Sequence, residues 1–377
     1  SPSQQAIFDA GHEVGDLATR LYPGGVLIDA PYYQHKEAVQ STFNAMQDPD
    51  VKAIYEAAFI FDGVRIRVDI LERSEKETWN LVEVKSSTSV KEVYYPDVAV
   101  QYYVLEGCSL KIGRAGILHI NNRYVYNGQN LELESLFSFG DLTDETIAMQ
   151  PEIPGQLGNL KSMLAEAGAP VIQPSRHCHK PYDCEFWDHC TKDMPEFWVY
   201  DINAIGQDKL EELAGMGIQD ISDIPTTFSL SQVQDRIRAS VANRQEYISD
   251  QLEAELNDME YPIHFLDFET TGTAIPRYAD TRPYQTIPFQ WSDHILYEDG
   301  KLDHREYLCN EDKDPREEFT QTLLDALETE GSIIIYTSYE TGVLKLLIEH
   351  ISQYADELQS VIERFVDLYA IIRRNYY

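Results

Sequence analysis

Two short apolar runs meeting at an Asp-Gly dipeptide constrain this chain more than any other feature. Phe59-Ile60-Phe61 and Val64-Arg65-Ile66-Arg67-Val68-Asp69-Ile70 flank Asp62-Gly63. Asp-Gly between such runs is the strongest short-range signal for a β-hairpin, because its tight turn needs residues that accept positive φ. The hairpin would deliver Asp69 near the end of its second strand. A charged, turn-like segment from Glu72 to Thr78 then leads into Trp79-Asn80-Leu81-Val82-Glu83-Val84-Lys85, a third strand. Sequential strands usually neighbour one another, so Asp69 and Glu83 are expected side by side.

Alternation along the third strand puts Glu83 and Lys85 on one face and turns Val82 and Val84 to the other. Two carboxylates and an ammonium are thereby expected to meet at one point. Asp69 and Glu83 are hard oxygen donors suited to Mg²⁺ or Mn²⁺, an ion able to polarise a phosphodiester and activate a bound water. Lys85 would orient that water or stabilise charge on the phosphoryl oxygens. Glu-x-Lys by itself also fits an ordinary solvated strand, so the hairpin context carries the weight here.

Taken together, Asp69 and Glu83-Val84-Lys85 resemble the PD-(D/E)xK nuclease superfamily. The similarity is to its RecB-like branch, which includes CRISPR-associated exonucleases, and it covers residues 1–192. It implies a restriction-endonuclease-like mixed sheet flanked by helices, with Asp69, Glu83 and Lys85 catalytic. The branch carries a metal-ligating His on a helix before the sheet, matched by His12 in Ala10-Gly11-His12-Glu13-Val14. It also carries Gln and Tyr on the helix after the Lys strand. Gln101 in Val100-Gln101-Tyr102-Tyr103 matches the Gln, while Leu105 stands at the family's Tyr position; Tyr102 or Tyr103 could contact nucleic acid or simply form core, and core is the default for such aromatics. Glu56, ahead of the hairpin, is a further carboxylate that either approaches the metals or lies on the surface.

Cys178, Cys184 and Cys190 are three of five cysteines, each separated from the next by five residues. With an odd total and no signal peptide, that clustering points to a metal rather than to disulfides, and thiolates favour zinc or an iron-sulfur cluster. The RecB-like resemblance implies a [4Fe-4S] cluster on these three. Its fourth, upstream cysteine is absent from this chain and is expected ahead of Ser1. Zinc held with His177, His179 or His189 is the alternative.

Residues 193–261 read as a helical connector. Lys209 to Pro225 has the form helix, Gly-containing turn, helix, and resembles a helix-hairpin-helix element, which grips phosphates through turn amides. Its acidic neighbours suit a spacer equally. Ser229 to Asp258 reads as a long polar helix.

Pro262-Ile263-His264-Phe265-Leu266-Asp267-Phe268-Glu269-Thr270 places Asp267 and Glu269 on one face of an apolar strand, a pairing suited to two metal ions. Asp-x-Glu-Thr after such a strand resembles the first motif of DEDD exonucleases, implying a partial RNase H-like α/β domain over residues 262–377. Glu340, at a strand-to-helix junction, would stand for that family's second carboxylate, and Asp367 could offer another acid. The family's final motif is expected beyond Tyr377, so exonuclease activity from this segment is expected to be weak or absent.

The charge balance opposes nucleic acid: 30 Lys plus Arg face 64 Asp plus Glu, a formal charge of −34, which repels polyanions at long range. Arg65, Arg67, Lys85, Lys91, Lys111 and Arg114 nevertheless fall around the first site. At 377 residues and 43% hydrophobic content the chain can build two cores and a connector. No apolar run reaches membrane-span length, and a cytoplasmic location is expected. The expectation is an α/β, Mg²⁺- or Mn²⁺-dependent deoxyribonuclease, an exonuclease acting on DNA that is single-stranded or has free ends, in repair or defence against foreign DNA. The alternative is a nucleic-acid-binding or assembly module with degenerate nuclease domains.

Overall fold

The computed structural model describes residues 2–74 and 78–377, so that residues 75–77 of the expected turn lie outside it. The chain forms two compact units of mixed α/β structure. Unit 1 comprises Ser1–Pro170 with Gly272–Gln285, and unit 2 comprises Val171–Thr271 with Thr286–Tyr377. The cysteine-bearing segment thus belongs to unit 2, and a stretch between two strands of unit 2 belongs to unit 1.

Unit 1 is built on a six-stranded sheet in sequential order: β1 (Gly25–Leu27), β2 (Ala53–Phe61), β3 (Val64–Arg73), β4 (Thr78–Lys85), β5 (Lys111–Ile120) and β6 (Phe137–Asp141). β1 runs parallel to β2 and β4 parallel to β5, and the remaining neighbours are antiparallel. The β2–β3 turn is the Asp-Gly hairpin, with φ of 48° at Asp62 and 74° at Gly63, as a two-residue turn matched to strand twist requires.

Alternation sends the two side-chain sets of the sheet to different cores. Helix α1 (Pro2–Thr19) lays Val14, Leu17 and Ala18 on Ile70, Val82 and Leu118. Helices α2 (His35–Gln47) and α3 (Tyr95–Gly107) cover the other face, where Ala38, Val98 and Leu105 join Ile54, Leu71, Leu81 and Ile117. The alternation slips once. Tyr55 pairs with Ile70 and Ala57 with Val68, but the intervening Glu56, at φ 56°, makes no pair with Asp69. As a result Val68 and Leu71 share one core while Ile70 faces the other. The irregularity falls at the carboxylate of interest.

Unit 2 contains a five-stranded sheet of order β11-β10-β7-β8-β9, formed by β7 (Ile263–Thr271), β8 (Ile287–Leu296), β9 (Leu302–Leu308), β10 (Ile333–Ile335) and β11 (Phe365–Asp367). β10 is parallel to both of its neighbours, and β8 is antiparallel to both of its own. Leu266, Phe268 and Trp291 pack against Phe319 and Leu323 of the helix Arg316–Leu327 and Val343 and Leu347 of the helix Tyr339–His350.

The connector has its own small core of Val199, Ile202, Leu213, Ile221, Ile237 and Val241. The expected long helix over 229–258 is interrupted. One helix spans Gln232–Asn243, opened by a capping box of Ser231 and Gln234, and it stops where Arg244 turns left-handed at φ 51°. A second helix covers Leu252–Asn257, and between them Ile248 bridges Tyr376. The expected helix-hairpin-helix is also partial. Helix Gln207–Gly215 turns at Gly217, but a single helical turn, Ile221–Asp223, follows it. Among the described residues, no helix is long and apolar enough to cross a membrane.

Candidate active site

Asp69, Glu83, Lys85 and Gln101 converge in unit 1. The β3–β4 ladder ends at Ile70 and Val82. Beyond that last pair, the Val84 N–H donates to Asp69 Oδ2 at 2.7 Å. Glu83, 7% exposed, faces α3. Its Oε1 accepts from Lys85 Nζ at 2.7 Å and its Oε2 from Gln101 Nε2 at 2.8 Å. Val82 and Val84 turn toward the α1 side, as alternation requires.

A fifth polar residue, which the sequence reading did not single out, completes the group. Asp97, in the first turn of α3, accepts from Lys85 Nζ at 2.9 Å and from Gln101 Nε2 at 3.2 Å. The signal was available, because Asp97 and Gln101 stand four apart on one helix face. Lys85 Nζ also lies 5.7 Å from the centre of the Tyr94 ring.

Three carboxylates therefore gather near one ammonium; Glu83 is buried and Asp69 largely so, while Asp97 is partly exposed. Desolvation, then the Val84 amide acting the other way, then Glu56 set Asp69, whose carboxyl is pushed up to about 6. Desolvation first and then repulsion from Asp69 and Asp97 push Glu83 up to about 8. Burial works against the charge of Lys85, but Glu83 and Asp97 outweigh it and hold the ammonium well above its ordinary value. Such a cluster takes up a proton or a cation to offset its charge.

The donor chemistry fits a hard divalent ion. Asp69, Glu83 and Asp97 present carboxylate oxygens, and Gln101 Oε1 is a buried acceptor with no partner. Among the described residues, no three His, Cys, Asp or Glu form a group that could hold a metal ion. Two carboxylates with most of the shell left to water are the arrangement magnesium commonly takes. His12 is exposed on α1 and forms no three-ligand group with Asp69 and Glu83. Glu56 is exposed and acts on Asp69 through its charge.

Tyr102 is 6% exposed and belongs to the hydrophobic core, and Tyr103 packs edge-to-face on Phe61 with ring centres 5.4 Å apart. Both serve the packing of α3. The basic residues around the site divide in the same way. Arg67 donates to the Ile28 and Ala30 carbonyls, whereas Arg65, Lys91, Lys111 and Arg114 are exposed, Arg114 lying over the Phe139 ring.

In unit 2, Cys178 is buried, Cys184 and Cys190 are partly so, and all three are free thiols. The Cys184 N–H donates to the Cys178 carbonyl at 2.7 Å, and the three do not form a metal-holding group with the neighbouring histidines. Beside them, His179, Trp187, Trp198 and Tyr200 pack ring against ring.

Asp267 and Glu269 lie on the exposed face of β7, at a concavity of about 570 Å³ that Tyr336, Tyr339 and Glu340 also line. Glu340 is 4% exposed and its Oε2 has no partner. Burial, then the charges of Asp267 and Asp367 raise its pKa. Thr337 precedes it at φ 80°. Sequence reasoning missed the pair behind this strand: His264 Nδ1 and Asp293 Oδ2 are 2.8 Å apart, 2% and 0% exposed.

A family model described as a domain of unknown function, DUF2779, matches residues 264–377, the part of unit 2 that carries its sheet. No curated protein and no solved structure matches the chain.

Proposed function

We propose that unit 1 is a divalent-cation-dependent deoxyribonuclease of the RecB-like type and that its sheet is a restriction-endonuclease-like core. The observation that carries this reading is the convergence of Asp69, Glu83, Lys85 and Gln101 from two strands and a helix. A Mg²⁺ or Mn²⁺ ion at the two carboxylates would polarise the phosphodiester and lower the pKa of the attacking water. Lys85, held between Glu83 and Asp97, would donate to a phosphoryl oxygen. Gln101 holds Glu83 in place through Nε2, and the Val84 amide does the same for Asp69. The exposed Arg65, Lys91 and Lys111 supply local attraction for DNA on an acidic chain.

The β7–β11 sheet we read as RNase H-like, with Asp267, Glu269 and Glu340 as its acids. Cys178, Cys184 and Cys190, free thiols in this structure, would be the donors if a soft-metal group, [4Fe-4S] or zinc, binds. A second reading, an assembly or nucleic-acid-binding module with degenerate nuclease domains, draws on the exposure of His12 and the burial of Tyr102 in the core.

End-labelled single- and double-stranded DNA incubated with the protein and Mg²⁺, Mn²⁺ or EDTA separates the two. The nuclease shortens DNA with either ion and stops with EDTA. The binding module retards DNA with no change in its length.

A further inference from the structure

Gly272–Gln285 connects β7 to β8, two paired strands of unit 2, yet it is part of unit 1. It is anchored there by packing and by main chain. Ala274 is 4% exposed within the core beneath α1, and Ile275 packs against the same core. The Asp280 N–H donates to the Tyr126 carbonyl at 2.8 Å, and the Tyr126 N–H donates to the Thr281 carbonyl at 2.9 Å. Thr281 is 2% exposed, with its hydroxyl on the Tyr278 carbonyl.

With the strap fixed in this way, Tyr284 sits at φ 60°, a conformation that is uncommon for a large side chain and needs surrounding structure to hold it. Its own N–H donates to the Thr273 carbonyl at 2.8 Å, closing the strap on itself. From there the phenol donates to the carbonyl oxygen of Ser86. Burial raises the phenol's pKa, so it keeps the proton it donates.

Ser86 is the residue after Lys85, where β4 ends. Past this point the chain bends through a serine-rich segment, and the next carbonyl, that of Ser87, is held by the Ile120 N–H at 3.0 Å. The Tyr284 hydroxyl thus secures the Ser86–Ser87 peptide unit, one residue past the Cα that carries the Lys85 side chain. Lys85 in turn must reach Glu83 and Asp97 from a strand terminus, where a ladder gives least support.

We propose that Tyr284 is a positioning residue: it reaches the Glu83-Val84-Lys85 strand from a distant part of the chain and fixes the main chain that aims the Lys85 ammonium. The effect on cleavage rests on the nuclease reading, but the placement of Lys85 does not. Misplacing a reacting group by about 1 Å is enough to lower a rate by about 10²-fold, and losing one hydrogen bond corresponds to about tenfold.

The test uses the full chain with Tyr284→Phe, which keeps the ring and removes the hydroxyl. Thr281→Val serves as a control that disturbs the strap away from Ser86. The Lys85 ammonium is followed by its ¹H–¹⁵N side-chain resonance, assigned by its loss in Lys85→Arg, and single-turnover cleavage and oligonucleotide affinity are measured in parallel. Expected for Tyr284→Phe are a shifted Lys85 resonance and a single-turnover rate lower by about tenfold, with affinity within about twofold of the parent and Thr281→Val unchanged. An unmoved Lys85 resonance in Tyr284→Phe, or equal shifts in both variants, overturns the proposal. A rate loss matched by an equal loss of affinity also overturns it, because Tyr284 would then be holding DNA. If the parent cleaves nothing, the nuclease reading fails and the resonance alone still decides the role of Tyr284.

Discussion

Lys85 Nζ bridges two acids, Glu83 Oε1 at 2.7 Å on its own strand and Asp97 Oδ2 at 2.9 Å on the following helix. The ammonium is held by two partners, and Asp69 is a third carboxylate beside them. Its removal should separate binding from chemistry. Lys85→Met is expected to lower single-turnover cleavage by about 10²–10³-fold, the range for loss of one positioned donor to a developing oxyanion. Mn²⁺ affinity, measured by calorimetry, is expected to hold or rise, since a competing positive charge has gone.

The buried acids make stability depend on pH in a direction opposite to that of salt-bridged carboxylates. Asp69 and Glu83 ordinarily titrate at 3.8 and 4.5, and in the folded chain they rise to about 6 and about 8. A folded state that binds more protons than the unfolded one loses stability as pH rises between the two values. Their contribution is therefore complete below about pH 4 and is lost as pH climbs to about 6 for Asp69 and about 8 for Glu83. Glu83→Gln is expected to melt higher than the parent at pH 8, with the gap closing toward pH 5. Mg²⁺ is expected to raise the parent's melting temperature at pH 8 and to leave Glu83→Gln nearly unmoved. Differential scanning calorimetry across pH reads both.

Gln101 is 5% exposed and supplies the donor to Glu83 Oε2. Gln101→Leu leaves that oxygen buried without a donor, which costs about 1–3 kcal/mol. Native-state hydrogen exchange at the β4 amides is the suitable measurement, because it reports unit 1 locally in a chain with two compact units. Unchanged protection at Val84 and Lys85 would contradict the assignment.

The acids of unit 2 are expected to be independent of this cleavage. Asp267→Asn and Glu340→Gln should leave the Mg²⁺-dependent rate within about twofold of the parent, as substitutions without shared partners usually do. Glu340 has a raised pKa from burial and an unpartnered oxygen. Glu340→Gln is therefore expected to stabilise unit 2 as pH rises above the ordinary glutamate range, visible as a higher melting temperature at pH 8 than at pH 5 relative to the parent.

What the sequence revealed and what it hid divide along the range of the interactions. The Asp62-Gly63 hairpin and the facing of Glu83 and Lys85 follow from local turn chemistry and a period of two, and both are found in the sheet. The slip at Glu56 was hidden, because nothing in Tyr55-Glu56-Ala57 marks a positive φ as Asp-Gly does. Asp97 was legible in principle from its spacing to Gln101, but was masked by the many acids of the chain. The break at Arg244 was hidden for the reason that the Ile248–Tyr376 bridge joins positions remote in sequence. The strap carrying Tyr284 lies next to Ser86 across nearly two hundred residues, a pairing that no local pattern encodes. Tyr102 shows the converse: an aromatic that a family resemblance offers for stacking is core, as its apolar neighbours on α3 favour.

Cleavage of an end-labelled DNA strand in Mg²⁺ by Asp69→Asn, set beside the parent and Asp267→Asn, bears most directly on the site. Asp69→Asn keeps the shape and the Val84 hydrogen-bond acceptor but removes the charge that would hold the ion. The expected result is a loss of about 10²-fold or more in Asp69→Asn, with Asp267→Asn cutting like the parent. Wild-type cutting by Asp69→Asn, or its loss in Asp267→Asn instead, would contradict the placement of the chemistry in unit 1.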